Sequence, residues 1–303
     1  SDYTIARMID EEMLRPLDFS NIPNFRLIDP QYVDPDYDPQ NLYSVPYTWG
    51  TVGLIYNTTM VDPGEDMETW SVLWNEKYKG NILMFGNSKD AFGIAFKLLG
   101  DPINAESQEQ MDRASKKLKE QKPLLQAYVM DEIFDKMTGG EAAIAPYYAG
   151  DFVTMHDDNP DLAFAFPREG TNIFTDAMCI PKDAQNPELA EMYINFMLEP
   201  QVGLANIEYI GYSTPNTAVY DLLPDEVKSD PVRYPDKAVL DNCEYFVNVS
   251  PELAKSMDDA WTQIISSDEH YSQMIMPMLL IAAVAAVVVL GVVRARRKKR
   301  PQG

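Results

Sequence analysis

Residues 43–57 read YSVPYTWGTVGLIYN, and the part from Val52 to Tyr56 is rich in residues that favour β-strands. Downstream of this run, helix and strand patterns alternate. Helices are predicted at 69–74, 90–99, 108–119, 131–137, 151–157 and 187–198, and strands at 82–85, 142–145, 162–166 and 177–180. This alternation predicts an α/β fold with largely parallel sheets. Ligands of such folds bind at the carboxyl ends of the strands.

The chain is strongly acidic. Its 303 residues include 47 Asp and Glu against 25 Lys and Arg, which gives a net charge of −22, and 46% of the residues are hydrophobic. A chain of this length and composition can bury a sizeable core. Its electric field raises the local concentration of cations and repels nucleic acid, so no nucleic-acid partner is expected. Taken alone, the acidity is explained more simply as a source of solubility.

The sequence has no motif for catalysis or for a cofactor. It lacks GxSxG, a glycine-rich phosphate loop and HExxH, and its two histidines, His156 and His270, lie far apart. Cys179 and Cys243 lie outside any CxxC or Cys/His cluster, so neither zinc nor dithiol redox chemistry is predicted. The two cysteines either pair in an extracytoplasmic compartment or are buried as small apolar residues. We therefore predict no enzymatic activity, no cofactor and no metal site.

The C-terminal region contains a long apolar segment. Residues 274–293 read MIMPMLLIAAVAAVVVLGVV, without a charged residue, and are followed by RARRKKR. A helix of this length spans about 30 Å, the thickness of the hydrocarbon core of a bilayer, so a transmembrane helix is predicted in preference to a buried core helix. By the positive-inside rule the basic flank is cytoplasmic, and residues 1–273 lie outside the cytoplasm. This predicts a single-pass protein of the cell membrane with an extracytoplasmic binding domain.

The beginning of the chain has neither an initiator Met nor an apolar signal region. Because an external domain needs an export route, we expect either that a signal has been removed or that the chain is a fragment of a longer protein.

Aromatic and acidic residues flank several of the predicted strands. Carboxylates accept hydrogen bonds from ammonium groups, and aromatic faces bind both cations and the methylene chain that joins them. This combination is typical of a site for an alkyl polyamine. The alternative is that these aromatic residues, Trp49 among them, belong to the core and that the acids are solvated. The residues concerned are Tyr47, Trp49, Asp90, Tyr147, Tyr148, Phe174, Asp176 and Tyr212.

Three long strings carry a family resemblance. They are residues 43–57, quoted above, TWSVLWNEKYKGNI at 69–82 and IEYIGYSTPN at 207–216. Together and in this order they resemble the spermidine/putrescine-binding proteins of bacterial ABC importers, and the similarity extends from Ser1 to about Ser266. The resemblance also implies that the chain is N-terminally incomplete, because it lacks the opening strand and helix of the family with their Trp/Tyr-bearing segment.

The resemblance implies a type II periplasmic-binding-protein fold, in which two α/β lobes joined by a hinge close on the ligand. Residues 1–50 and 175–222 would form one lobe, and residues 51–174 and 223–270 the other. To this fold the sequence adds one C-terminal transmembrane helix at 274–293 and a basic cytoplasmic tail at 294–303.

The resemblance also implies a set of ligand-binding residues. Asp90 resembles the acid that holds a terminal amine, and Asp176 resembles the acid that meets an inner or second amine. Tyr147, Phe174 and Tyr212 correspond to the aromatic cage, although the family often has Trp at the first two positions. The remaining predicted ligand-binding residues are Ser1 and Tyr3 of a Ser-x-Tyr segment, Asn87, near which the family places a second acid, and Phe246, near which it places a polar amide.

The implied function is to capture a polyamine outside the cytoplasm and to deliver it to an ABC importer. The expected partners are the polyamine, the permease subunits and, through them, an ATPase, together with the membrane through the C-terminal helix. Two alternatives remain. Tandem tyrosines such as Tyr147-Tyr148 bind ferric iron in some proteins of this fold, and a membrane-tethered sensor domain would have the same architecture.

Overall fold

The computed structural model describes residues 1–267. The chain divides into two compact units, residues 1–261 and 262–303. The described part of the second unit is the end of the last helix and the residue that follows it. The strands are β1 (Ser44–Asn57), β2 (Ile82–Phe85), β3 (Leu125–Val129), β4 (Ile144–Tyr148), β5 (Leu162–Ala165), β6 (Thr171–Cys179) and β7 (Cys243–Glu244).

Strand β1 organises the sheet, in which the order is β3-β2-β4-β1-β6-β7 and β5 pairs with β1. The first half of β1 pairs with β6, and its second half, from Val52 onward, pairs with β4 and β5. Of its 14 residues only Tyr47 and Tyr56 are partly exposed. Burial on both faces explains why this segment is a nearly continuous apolar run and not an alternating pattern.

The prediction of largely parallel sheets is wrong, because the sheet is mixed. Parallel pairing joins β2 to β3 and β4, and β6 to β7, whereas β1 is antiparallel to β4, β5 and β6. Alternating helices and strands indicate the crossovers that parallel pairs need. The pairing of one long strand with three distant ones has no local signal of this kind.

The predicted helices are confirmed with small shifts at their ends, and the one at 69–74 is a 3₁₀ helix, Trp70–Trp74. Other 3₁₀ turns are Phe19–Asn21, Pro23–Leu27, Pro30–Tyr32, Pro39–Asn41, Glu76–Tyr78 and Lys122–Leu124. The α-helices are α1 (Asp2–Asp10), α2 (Ser88–Leu98), α3 (Gln108–Gln121), α4 (Ile133–Thr138), α5 (Ala149–Asp158), α6 (Pro187–Met197), α7 (Pro200–Ile210), α8 (Thr217–Leu222), α9 (Asp225–Lys228), α10 (Lys237–Leu240) and α11 (Pro251–Ser266).

Two parts of the core position the site. Helix α2 follows β2 directly and is buried along most of its length, with Phe92 and Phe96 fully enclosed. Burial of one such side chain contributes about 1.5–3 kcal/mol, so the start of α2 is held firmly against the sheet. Trp49 of β1 lies in the other part, where its ring is 6.0 Å from that of Tyr32 and its Nε1 donates to the carbonyl of Thr214 at 3.3 Å. Of the two interpretations of Trp49, the core one is therefore correct.

The predicted division into two lobes stays a prediction. The boundary at 50/51 falls inside β1, and the boundary at 174/175 falls inside β6. Gly50 pairs with Phe174, so the two boundaries lie at the same level of the sheet.

The predicted fold class included one C-terminal transmembrane helix, and this part is corrected. Within residues 1–267, no helix is both long enough and apolar enough to cross a membrane. The segment 274–293, on which the prediction of a membrane anchor and a single-pass topology rested, lies outside the described residues, as does the tail at 294–303. The architecture that the structure describes is the α/β fold of residues 1–267.

Candidate functional site

A buried carboxylate lies at the start of α2. Asn87 caps this helix, and its side-chain oxygen accepts a hydrogen bond from the backbone N–H of Asp90 at 2.9 Å. The Asn87 amide donates to Asp90 Oδ2 at 2.6 Å, and the hydroxyl of Tyr148 donates to the same oxygen at 3.0 Å. Asp90 is 5% exposed, and this burial raises its pKa although the two donors lower it. The Asp90 carboxylate is thus held rigidly in a place where a cation would stabilise it.

Aromatic rings form a row beside this carboxylate. Strands β4 and β6 lie on either side of β1, and the rings of Tyr148 and Phe174 are 5.4 Å apart. The ring of Tyr147 is 4.8 Å from that of Tyr148, and the ring of Phe174 is 6.2 Å from that of Tyr212. Tyr147 is 2% exposed and stacks on Phe85. The three predicted cage residues are thus brought together, with Tyr148 as the link between Tyr147 and Phe174.

A second carboxylate lies at the far end of this row. Helix α5 begins directly after β4, and its first turn carries Asp151, whose Oδ2 accepts a hydrogen bond from the Tyr212 hydroxyl at 3.1 Å. Burial raises the pKa of Asp151 to about 6, and the charges of Asp131 and Asp176 also raise it, while the bond from Tyr212 lowers it. The close approach requires glycine at position 150, because a Cβ there would lie 2.3 Å from the Tyr212 ring.

The first turn of α1 is tied to β6. Asp2 is buried and accepts hydrogen bonds from the backbone N–H groups of Tyr3 at 2.6 Å and Thr175 at 3.2 Å. Burial raises the pKa of Asp2 to about 6. Because Asp176 follows Thr175 on β6, this anchor brings Ser1 and Tyr3 to the site, and the backbone nitrogen of Ser1 lies 3.3 Å from Asp176 Oδ1. The side chain of Asp176 is 41% exposed.

A lysine lies against Tyr3 and Phe246. The Nζ atom of Lys89 is 4.1 Å from the centre of the Tyr3 ring and 5.4 Å from the centre of the Phe246 ring, and it donates to the carbonyl of Val247 at 3.2 Å. The two rings meet edge to face at 5.9 Å. Gly93 of α2 allows this packing, since a Cβ there would lie 2.8 Å from the Phe246 ring. Burial lowers the pKa of Lys89 to about 8.

The nine residues predicted as ligand-binding therefore lie in one connected region, while their roles in binding stay predictions. The sequence analysis missed Asp151 and Lys89, and it considered Tyr148 only as a strand-end aromatic and as an iron ligand. The position of Asp151, in the helix turn that follows a strand, was a usable signal because ligands bind at carboxyl ends of strands. No local pattern indicated that the ammonium of Lys89 reaches Tyr3.

The carboxylates of this region are not neutralised by other side chains. Within residues 1–267, no Lys, Arg or His nitrogen lies within 4.0 Å of a carboxylate oxygen of Asp90, Asp151 or Asp176. Three acids beside aromatic rings can bind a cationic ligand by charge-assisted hydrogen bonds and by cation–π contact.

The geometry does not favour a ferric-iron site. The described part of the chain contains no group of three or more His, Cys, Asp or Glu positioned to hold a metal ion. Burial raises the pKa of both Tyr147 and Tyr148, and nearby carboxylates raise it further. Both tyrosines are therefore phenols at neutral pH, and the hydroxyl of Tyr148 donates its proton to Asp90.

Comparison with known proteins places the chain in a family. Residues 1–234 match the family model described as bacterial extracellular solute-binding protein. The chain belongs to this family. The spermidine/putrescine-binding periplasmic protein of Escherichia coli K12 is 32% identical over 245 residues, which are 81% of this chain and 70% of that protein. The putrescine/cadaverine-binding protein of Pseudomonas aeruginosa PAO1 is 28% identical over 271 residues, 86% of this chain and 77% of that protein.

Solved structures agree with this membership. The spermidine/putrescine ABC transporter substrate-binding protein of Streptococcus pneumoniae is 36% identical, with a TM-score of 0.76 over 87% of this chain and 81% of that chain. The resemblance predicted from the three strings is thus confirmed, as is the type II solute-binding α/β fold. The family is a class of extracellular binding proteins of transport systems and not a class of enzymes.

Proposed function

We propose that this protein is the extracytoplasmic solute-binding component of an ABC importer and that it captures a linear polyamine. The observation that carries the proposal is that Asp90 and Asp151, two carboxylates without side-chain cations, accept hydrogen bonds from tyrosines of one row of aromatic rings. A third carboxylate, that of Asp176, lies close enough for its charge to act on Asp151 and Tyr212. The names of the E. coli and P. aeruginosa relatives support the same ligand class.

The arrangement of the acids favours a ligand with separated charges. Asp90 is bonded to Tyr148 and Asp151 to Tyr212, and these two tyrosines contact Phe174 from different sides. A compact cation would contact only one of the acids. A chain with ammonium groups at intervals can meet two or more of them, while its methylene groups lie against the rings.

Each part of the site has a distinct role in this proposal. Asp90, rigid and desolvated, holds one terminal ammonium, and the more exposed Asp176 meets an inner or second ammonium. Phe174 packs on the alkyl chain between them. The two predicted lobes close around the ligand, and the closed form docks on permease subunits that are coupled to an ATPase.

Isothermal titration calorimetry tests this function. The protein is titrated with putrescine, cadaverine, spermidine and spermine. Two analogues of putrescine serve as controls: 1,4-butanediol, which lacks both charges, and n-butylamine, which lacks one. We expect at least one of the four amines to bind with a Kd in the micromolar range or below, a binding free energy of about 8 kcal/mol or more. The diol should give no binding heat, and butylamine should bind far more weakly than putrescine. No binding of any of the four amines would refute the proposal.

A further inference from the structure

The region that carries the proposed polyamine site already holds one ammonium group, that of Lys89. It contacts the faces of Tyr3 and Phe246, at 4.1 and 5.4 Å from their centres, and it donates to the carbonyl of Val247 at 3.2 Å. Two aromatic rings and a carbonyl oxygen are the contacts expected for a ligand ammonium. Both Tyr3 and Phe246 belong to the predicted ligand-binding set.

Lys89 is not held there by an ion pair. Among residues 1–267, no carboxylate oxygen lies within 4.0 Å of its Nζ. Its charge nevertheless acts on the site, because it lowers the pKa of the neighbouring Asp90 and is itself stabilised by Asp2 and Asp90. Burial that lowers the pKa of Lys89 to about 8 agrees with an ammonium that is desolvated and only partly compensated.

The position of Lys89 also works against its own helix. It is the second residue of α2, where the partial positive charge of the helix terminus disfavours a cation. A lysine at this position therefore does not stabilise α2. Its ammonium instead contacts Tyr3 and Phe246, two residues of the predicted ligand-binding set.

We infer that Lys89 is a specificity-determining residue that limits the ligand to short diamines. This inference rests on the proposed polyamine-binding function. A diamine places its two ammonium groups at Asp90 and further along the row, toward Phe174 and Tyr212. A ligand that is longer by an aminopropyl unit and has its inner ammonium at Asp90 extends past Asp90, so that its terminal ammonium reaches the Tyr3 and Phe246 end and meets the charge of Lys89. Like charges in a partly desolvated site repel strongly, so the longer ligand is rejected.

Replacement of Lys89 by Met tests this inference, because Met keeps an unbranched apolar stem and removes the charge. Calorimetry gives the Kd of putrescine and of spermidine for the unchanged protein and for each variant. We expect Lys89→Met to shift the ratio of the two constants toward spermidine by about tenfold or more. Lys89→Gln is measured in the same way, so that a folding defect of one variant does not decide the result. Lys89→Arg keeps the charge and should keep the original ratio.

A matched control is Lys116→Met. Lys116 lies exposed on α3, so this change removes the same formal charge without altering the site, and the ratio should not move. The inference would be overturned if, in both Lys89→Met and Lys89→Gln, the Kd values of putrescine and spermidine stayed unchanged or changed by the same factor. Weaker binding of spermidine alone would also overturn it. If the unchanged protein bound none of the amines, the proposed function would fail together with this inference. If it bound them and the ratio stayed constant, only the role of Lys89 would be refuted.

Discussion

Replacement of Asp90 by Asn removes the charge of the most buried of the three proposed ligand-binding acids and keeps its shape. In the proposed complex this carboxylate accepts a hydrogen bond from a ligand ammonium in a place that is 5% exposed. A charge-assisted hydrogen bond to a desolvated acid contributes roughly 2–4 kcal/mol. The Kd of the tightest amine should therefore rise roughly 30-fold to several-hundred-fold.

The same change should leave the folding stability of the free protein nearly intact. Burial raises the pKa of Asp90, so the folded protein holds this proton more tightly than the unfolded chain does. Ionisation of Asp90 thus lowers the stability of the folded protein as the pH rises from the ordinary pKa of a carboxyl to the raised pKa of Asp90. Above the raised pKa this loss of stability is complete. Asn does not titrate and escapes this loss. The variant also loses a negative charge from the first turn of α2, which lowers its folding stability by about 0.3–1 kcal/mol.

Two measurements on the same variant therefore separate binding from folding. Calorimetry gives the affinity, and thermal unfolding of ligand-free protein at pH 7 gives the stability, with Asp183→Asn as a control that removes one exposed carboxylate. An affinity within about threefold of the unchanged protein would refute the role of Asp90. A large drop in stability that accompanies the drop in affinity would show that Asp90 is mainly structural.

Three further outcomes are expected from the same site. Asp176→Asn should weaken binding roughly 5- to 30-fold, less than Asp90→Asn because its side chain is 41% exposed to screening solvent; an unchanged Kd in calorimetry would exclude it as an anchor. Phe174→Leu removes a ring face and keeps most of the apolar volume, so putrescine should bind several-fold more weakly; equal affinity would contradict the cage. Amine binding at pH 6 should release protons, because an ammonium lowers the pKa of Asp151 from about 6. Calorimetry in two buffers of different ionisation enthalpy measures the number of protons released, which should fall in Asp151→Asn. Uptake of protons on amine binding would contradict the role of Asp151 as a ligand-facing acid.

The local parts of the fold were predictable from the sequence. Helix α2 and strand β2 follow from periodicity, so Asp90 was placed correctly in the segment that follows this strand. The strings at 43–57, 69–82 and 207–216 identified the family. The mixed sheet was not predictable from the alternation of elements, because β1 forms its pairs with strands far along the chain.

The parts of the site that were missed depend on tertiary contacts. Tyr147 and Tyr148 are equivalent in the sequence, yet only the hydroxyl of Tyr148 bonds to Asp90, while Tyr147 stacks on Phe85 in the core. Successive side chains of a strand point to opposite faces, and a sequence pattern does not say which face meets another element. The approach of Lys89 to Tyr3 depends in the same way on where α1 is anchored.

Three acids with a raised pKa, Asp2, Asp90 and Asp151, differ in the groups that could stabilise their charged form. Each carboxylate oxygen of Asp2 accepts a hydrogen bond from a backbone N–H group, so the role of Asp2 is to anchor α1 on β6. Asp90 and Asp151 instead accept hydrogen bonds from phenols of the ring row, and the charges of these acids raise the pKa of Tyr148 and Tyr212 further than burial alone. A phenol that donates its only proton to a carboxylate keeps its oxygen lone pairs and its ring face for a cation. An ammonium that enters the row therefore stabilises acid and ring together, which distinguishes Asp90 and Asp151 as ligand-facing acids from Asp2 as a structural one.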